Sequence, residues 1–256
     1  MFPNFSNKQN EKPMVTPAGF MDYIKKVGRY PKFPPPEGMI FSYQKTLLDY
    51  VVQNHQTTKM ETTFGEVYFL DETQKKVGII GKLGIGAPGV STALEELIAW
   101  GVKKFVSIGT AGSLQKNLKI GNIVVCDKAI RDEGVSHHYI VSEKYSYASM
   151  VMVEKIKKSL QRLGKEFTVG TSWTIDAPYR ETIAEARKYQ SEGVATVEME
   201  AAALFAVAAY REVEMGAVFT ISDSLADLQW QPEFHKEETK EGLETLYEVA
   251  LDVLLQ

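Results

Sequence analysis

Short apolar runs alternate with stretches of helical periodicity along most of this 256-residue chain. The runs are typical of buried strands, and the stretches place their apolar residues on one face of a helix. The predicted strands cover residues 64–70, 77–83, 105–109, 122–130, 167–173 and 216–222, and the predicted helices cover 39–54, 90–100, 148–163, 179–192, 201–210 and 237–255. This alternation predicts an α/β fold, a single domain with a twisted, mostly parallel central sheet flanked by helices.

The first 38 residues differ from the rest of the chain. They are rich in proline, lysine and asparagine, and they end in Phe33-Pro34-Pro35-Pro36. This composition is typical of an extended arm. The sequence therefore predicts an N-terminal arm over residues 1–38 and one folded domain over residues 39–256.

Charge and hydropathy exclude several classes of function. The net charge is −4 without a basic block, so nucleic acid is not an expected partner. No apolar stretch approaches the length of a membrane span, and the first residues do not resemble a secretory signal. The single cysteine, Cys126, lies in an apolar run, which predicts a buried structural thiol and a reducing compartment. We expect a cytoplasmic protein that binds neither nucleic acid nor membranes.

A glycine-rich turn follows the second predicted strand. Its sequence, Gly84-Ile85-Gly86-Ala87-Pro88-Gly89, matches the GxGxxG pattern of dinucleotide sites. The next strand, however, ends in glycine and threonine where such a site needs an acid for the ribose hydroxyls. Val90 also stands where a P-loop needs its lysine. A tight strand-to-helix turn is the favoured interpretation, with a nucleotide cofactor as the weaker alternative.

Three further motifs place polar groups at the ends of predicted elements. Gly109-Thr110-Ala111-Gly112 can bind an anion through its N–H groups or form a plain turn. Glu198-Met199-Glu200 can accept hydrogen bonds from sugar hydroxyls or stabilise the start of a helix. Ser222-Asp223-Ser224 ends an apolar strand, where Asp223 can serve as a general acid or as a helix cap. Because HExxH, CxxC and GxSxG motifs are missing, we expect neither a metal site nor a serine hydrolase.

In their order along the chain, these motifs resemble the nucleoside phosphorylase family, which includes purine nucleoside, uridine and methylthioadenosine-type enzymes. Two more stretches carry the resemblance, namely Ile130-Arg131-Asp132-Glu133-Gly134-Val135-Ser136 and Asp176-Ala177-Pro178-Tyr179. The matching region runs from residue 77 to residue 225, and the Glu-Met-Glu-Ala-Ala stretch at its centre is its most specific part.

The resemblance implies that residues 39–256 form the catalytic domain of a homo-oligomer, either a dimer or a hexamer. It implies cleavage of a nucleoside by inorganic phosphate, giving ribose 1-phosphate and free base, without any other cofactor. The base would be a purine protonated by Asp223, and Glu200 would stabilise the cationic sugar. By position, ribose would contact Glu198, Met199 and Glu200, phosphate would contact Gly109 and Thr110, and the base would contact Ala111, Gly112, Tyr179 and Ser222.

Two arginines that the resemblance leads us to expect are missing. Ser107 stands where phosphorolytic relatives have an arginine, and Phe41-Ser42-Tyr43-Gln44-Lys45 stands where they have Gly-Asp-Pro-x-Arg. The cations considered as replacements are Lys45, Lys82, Arg131 and Arg180. Hydrolytic relatives also lack a phosphate arginine and use water. A nucleosidase therefore stays open as an alternative, as does a nucleoside-binding protein without activity.

Overall fold

A computed structural model of the protein describes residue 5, residues 7–62 and residues 65–256. The strands of the described chain are β1 (Gly38–Ser42), β2 (Thr57–Glu61), β3 (Glu66–Leu70), β4 (Val77–Gly81), β5 (Lys104–Ser113), β6 (Ile123–Asp132), β7 (Tyr145–Tyr147), β8 (Phe167–Ile175), β9 (Thr196–Glu198), β10 (Glu214–Ser224) and β11 (Gln231–Pro232). The α-helices are α1 (Pro17–Lys26), α2 (Lys45–Asn54), α3 (Ala87–Trp100), α4 (Met150–Arg162), α5 (Ile183–Ser191), α6 (Ala201–Arg211) and α7 (Glu237–Leu254).

These strands form one sheet, and part of that sheet closes on itself. Strand β5 pairs with β1, β10 and β9, so that β5, β10, β6, β8 and β9 form a small barrel. The pairings β4–β1–β5–β10 and β6–β8–β9 are parallel, whereas β10–β6, β9–β5 and the edge hairpins are antiparallel. The predicted single α/β domain with a central sheet is confirmed, and the closure of the sheet is what the sequence pattern did not predict.

Helices cover both faces of the sheet. One core contains Phe41 and Phe105 with residues of α1, α3 and α6, and the other contains Ile40 and Val106 with residues of α2, α4 and α7. Consecutive residues of β1 and β5 thus contribute to opposite cores, as the alternation of side chains along a strand requires. The sheet is therefore buried on both sides, which explains why its central strands are continuous apolar runs.

The predicted helix over residues 39–54 is wrong in its first part. Residues 38–42 form β1, which is buried along its whole length between β4 and β5, and α2 begins only at Lys45. Periodicity alone does not distinguish a short apolar strand from the start of the helix that follows it, so the sequence predicts the two as one helix. The correction matters for the site, because it puts residues 43 and 44 in a tight strand-to-helix turn.

The predicted arm includes a helix that the sequence pattern missed. Helix α1 begins at Pro17, and the Thr16 side chain accepts a hydrogen bond from the Gly19 N–H as its N-cap. Met21 and Ile24 of this helix are buried in the core that it shares with α3. Residues 1–4 and 6 of the arm, together with Phe64 of a predicted strand, lie outside the described residues.

One end of the barrel brings three motifs together. Gly112 of β5 lies opposite Val197 of β9 on one side and opposite Asp223 of β10 on the other. A register shift in β10 between Ile221 and Asp223 marks a β-bulge at Ser222. Bulges of this kind redirect side chains next to functional sites. The strand ends that carry the predicted acids therefore meet around Gly112.

Candidate active site

A cavity of about 420 Å³ opens at this end of the barrel, among β5, β9, β10 and residues 178–183. The predicted site residues that line it are Thr110, Ala111, Gly112, Tyr179, Glu198, Met199, Ser222 and Asp223. Its mouth carries the exposed aromatic side chains Tyr179, Trp230 and Phe234. A second cavity, of about 520 Å³, lies between the N-terminal segment and α3 and contains none of the predicted site residues. The cavity at the barrel end is therefore the candidate active site.

Gly109 and Glu200 are the two predicted site residues that lie beside this cavity rather than in its lining. Glu200 is 9% exposed at the start of α6, and its Oε1 accepts a hydrogen bond of 2.7 Å from the Gly86 N–H. Gly86 has a φ of 94°, a left-handed conformation that favours glycine. The backbone of the glycine-rich turn thus binds the Glu200 carboxylate. This contact explains why the turn needs glycine, and no bound nucleotide is required to explain it.

Glu198 and Glu200 form a buried pair of acids. Glu198 is 7% exposed and accepts hydrogen bonds from the hydroxyls of Ser172 and Thr174 and from the backbone N–H groups of Glu200 and Ala201. Burial raises the pKa of both carboxyl groups, and the negative charge of Glu198 raises the pKa of Glu200 further. Since neither acid has a cation as a hydrogen-bond partner in the described chain, a positive charge on a bound ligand would stabilise the ionised pair.

Asp223 lies on the opposite side of Gly112 from β9. It is 8% exposed, and its two carboxylate oxygens accept hydrogen bonds from the Ser222 hydroxyl at 2.7 Å and from the Trp230 indole N–H at 3.0 Å. A Cβ atom added to Gly112 would lie 3.0 Å from Asp223 Oδ2 and 2.8 Å from Leu225 Cδ1. Gly112 is therefore the residue whose small size lets the acid approach β5.

Glu181 is an acid of this cavity that sequence reasoning missed. It lies in the segment between the short 3-10 helix Pro178–Arg180 and α5, and it is half-buried in the cavity wall. Burial and the negative charge of Asp223 raise the pKa of Glu181 to about 7. Glu181 can therefore hold a proton near neutral pH beside Asp223. No sequence motif indicated that Glu181 would enter the cavity, because its burial and its pKa depend on where this irregular segment packs.

Cations are missing from the described lining of the cavity, which includes no lysine, arginine or histidine. Lys45 and Lys82 each pair with an acid elsewhere on the surface. Arg131 donates hydrogen bonds to the Ser136 hydroxyl and to two backbone carbonyls, and Arg180 is exposed. The four cations considered as replacements for the phosphate arginines thus all lie outside this lining.

The described residues provide no exposed thiol, no metal-ligand cluster and no membrane-spanning helix. Cys126 is buried, as predicted, and burial together with the negative charge of Glu198 raises the pKa of its thiol. Among the described residues, no three histidine, cysteine, aspartate or glutamate side chains cluster as metal ligands do. The helices of the described ranges are all too short or too polar to cross a lipid bilayer.

Comparisons with known proteins point in one direction. Residues 41–255 match the model of the phosphorylase superfamily. Purine nucleoside phosphorylases of the DeoD type from Bacillus cereus, Bacillus thuringiensis and Bacillus mycoides are each 30% identical over 186 residues, which is 71% of this chain and 77% of theirs. The fold is similar to that of purine nucleoside phosphorylase from Toxoplasma gondii in complex with immucillin-H, with a TM-score of 0.75 at 20% identity, covering 86% of this chain and 90% of that one.

Proposed function

The chain belongs to the phosphorylase superfamily, and from that premise we propose that it cleaves the N-glycosidic bond of a purine ribonucleoside. The observation that carries the proposal is the arrangement of its acids. Glu198 and Asp223 line one cavity from two sides of Gly112, and Glu200 lies next to Glu198. A nucleoside has a sugar that becomes positive and a base that needs a proton when this bond breaks, so it matches a site with acids at two positions.

The acid pair at the ribose end stabilises the positive charge. As the C1′–N bond stretches, charge grows on the ribose ring, and the buried carboxylates of Glu198 and Glu200 attract it in a site of low water content. The Met199 side chain lines the cavity together with Glu198, and in this proposal it contacts the sugar. Burial raises the pKa of both acids, so their ionised forms are unfavourable in the free site, and a cationic sugar would stabilise them.

The acids at the base end control protonation. Asp223 donates a proton to N7 of the purine, so that the base leaves as a neutral molecule. The hydrogen bonds from Ser222 and Trp230 fix the carboxyl group in place, and Glu181 serves as the store of the proton. Ala111, Gly112 and Tyr179 surround the base.

The acceptor of the sugar distinguishes two reactions. The resemblance implies phosphate bound at Gly109 and Thr110, giving ribose 1-phosphate, which makes the protein a pentosyltransferase. Hydrolysis by water is the second candidate, and the cation-free lining of the described cavity favours it, because an oxyanion is bound most strongly by charged donors such as arginine.

The direct test is an assay of inosine and adenosine with and without inorganic phosphate. Free base must be released in at least one condition, and the sugar product identifies the acceptor. Ribose 1-phosphate means phosphorolysis, and free ribose means hydrolysis. Affinity for the base without any product under either condition would contradict the proposal and support a nucleoside-binding protein.

The proposal includes a homo-oligomer, a dimer or a hexamer, that works in the cytoplasm. Tyr179 is fully exposed at the cavity mouth, and Ile183, Trp230 and Phe234 are each about half exposed or more. These apolar side chains surround the entrance, where a bound base or a second copy of the chain would cover them.

Replacing Glu181 with glutamine should change the pH dependence of the reaction. The wild-type kcat should fall as the pH rises through about 7, because Glu181 then loses the proton that Asp223 uses. Glu181→Gln should lower kcat by about tenfold or more and remove that transition from the pH profile. A profile of kcat between pH 5 and pH 9 provides the measurement, with the exposed Glu166→Gln as the matched control.

The same variant gives a check that does not depend on activity. When the pKa of a carboxyl group is raised in the folded state, the protein becomes less stable as the pH rises from the unfolded pKa of that group towards its folded pKa. Glu181→Gln should therefore be more stable than the wild type at pH 8, by about 1–3 kcal/mol in the free energy of unfolding, and equal to it near pH 4. An unchanged pH profile of kcat would remove Glu181 from the mechanism.

A further inference from the structure

The side chains of Tyr43 and Gln44 lie over the part of β5 to which the resemblance assigns the phosphate, which is a strand and not the turn that the sequence suggested. The Tyr43 hydroxyl is hydrogen-bonded to Ser107 Oγ at 2.8 Å, and Gln44 Nε2 donates to Thr110 Oγ1 at 3.0 Å. A Cβ atom added to Gly109 would lie 3.0 Å from the Tyr43 ring. We call Tyr43 and Gln44 the acceptor gate, since together they cover the surface of residues 107–110.

The backbone holds the acceptor gate in place. Strand β1 ends at Ser42 and α2 begins at Lys45, so the gate is the whole connection between two packed elements. Ser42 of β1 is paired with Ile108 of β5, which sets the acceptor gate directly beside residues 107–110 of that strand. Ser107 is 1% exposed, so the phenol of Tyr43 reaches into the protein interior. A phosphate ion on Gly109 would have to displace this ring.

The polar groups of the acceptor gate suit water better than an anion. Gln44 Oε1 is buried, and no donor among the described residues forms a hydrogen bond with it. Burial and the negative charge of Glu200 raise the pKa of the Tyr43 phenol, which therefore stays neutral. An oxyanion at this place would face an unsatisfied carbonyl oxygen and a nearby carboxylate, whereas a water molecule can donate to both.

We propose that Tyr43 and Gln44 determine the acceptor of the reaction by excluding phosphate and orienting a water molecule towards C1′ of the ribose. This inference rests on the proposed cleavage of a nucleoside. The C1′–N bond breaks with its electron pair passing to the base, which takes a proton from Asp223. The water oxygen forms the new C1′–O bond and gives one proton to Glu200. Glu181 then protonates Asp223 again, and Glu200 releases its proton to solvent while Glu181 regains one from it. Nucleoside and water thus become ribose and free base.

The experiment measures phosphate binding and product identity separately. Calorimetric titration of the full-length chain with inorganic phosphate should show no saturable binding up to about 10 mM, ten times the upper range of ordinary KM values. The sugar product should be free ribose at every phosphate concentration. The double variant Tyr43→Gly/Ser107→Arg removes the ring and introduces a cation, and it should bind phosphate at least about tenfold more tightly than the wild type.

Two volume-conserving variants serve as controls for folding. Tyr43→Phe keeps the ring and removes only the hydrogen bond to Ser107, so it should still exclude phosphate. Gln44→Leu removes the water acceptor and the donor to Thr110, so it should lower kcat for hydrolysis by about tenfold or more with little change in KM. Unchanged kcat in Gln44→Leu would overturn the role of Gln44 even if the double variant Tyr43→Gly/Ser107→Arg does not fold.

The outcomes separate this inference from the proposed function. Saturable phosphate binding by the wild type, together with ribose 1-phosphate as product, would overturn the inference and leave the cleavage reaction intact. Absence of any cleavage would overturn the proposed function, while the phosphate titration of the wild type and the double variant would still support or contradict exclusion of the anion.

Discussion

Asp223→Asn is expected to lower kcat for purine nucleosides by about 10²–10⁴-fold and to change KM by less than about threefold. Asparagine keeps the size of the side chain: its oxygen can accept the hydrogen bond from the Trp230 indole N–H, and its NH2 group can donate to the Ser222 hydroxyl. It cannot give a proton to the purine ring. The loss should therefore fall on the chemical step, and steady-state kinetics with inosine provides the measurement.

The substitution has a matched control four residues along the chain. Asp227 forms an exposed ion pair with Lys116, outside the cavity, so Asp227→Asn should leave both kinetic constants unchanged. A nucleoside with a good leaving group, whose departure needs no proton, should restore much of the rate in Asp223→Asn. If Asp223→Asn retains wild-type kcat for inosine, Asp223 does not act as the acid.

The fold could be predicted where local periodicity decides it. The apolar runs that became β8 and β10 are long and bounded by turns, and so they were found within a few residues. Strand β9 has three residues and no periodicity of its own, yet its pairings with β8 and β5 close the barrel. Closure is a property of contacts between distant segments, and for that reason the sequence pattern could not show it.

The candidate site could be predicted where its residues follow strands in recognisable motifs. The stretches around Thr110, Met199 and Asp223 do converge on one cavity, although the roles of their residues stay predictions. Glu181 and Trp230 reach the same cavity from irregular segments, whose position depends on packing. Tyr43 and Gln44 were visible only as a departure from a family motif, and their contact with residues 107–110 required the structure.

Glu200→Gln is expected to affect activity and stability in opposite directions. The variant loses the negative charge next to the ribose, so kcat should fall by about 10²–10³-fold, the usual effect of removing one electrostatic contact to a transition state. The wild-type kcat should also fall as the pH drops through the raised pKa of Glu200, because the protonated acid no longer attracts the cationic sugar. In Glu200→Gln this acid limb should be absent from the pH profile.

Stability should change in the other direction because the Glu200 charge, which we propose serves the reaction, is unfavourable in the free protein. Glu200 is buried beside Glu198, so its ionisation opposes folding increasingly as the pH rises above the unfolded pKa. Glutamine keeps the bond from the Gly86 N–H and removes the repulsion, so the variant should unfold at a higher temperature than the wild type at pH 8, with the exposed Glu212→Gln as control. A variant that loses both kcat and stability would show that the Glu200 carboxylate serves the fold. A lower kcat together with a higher unfolding temperature would show that the Glu200 charge stabilises the cationic sugar, because that charge does not stabilise the free protein.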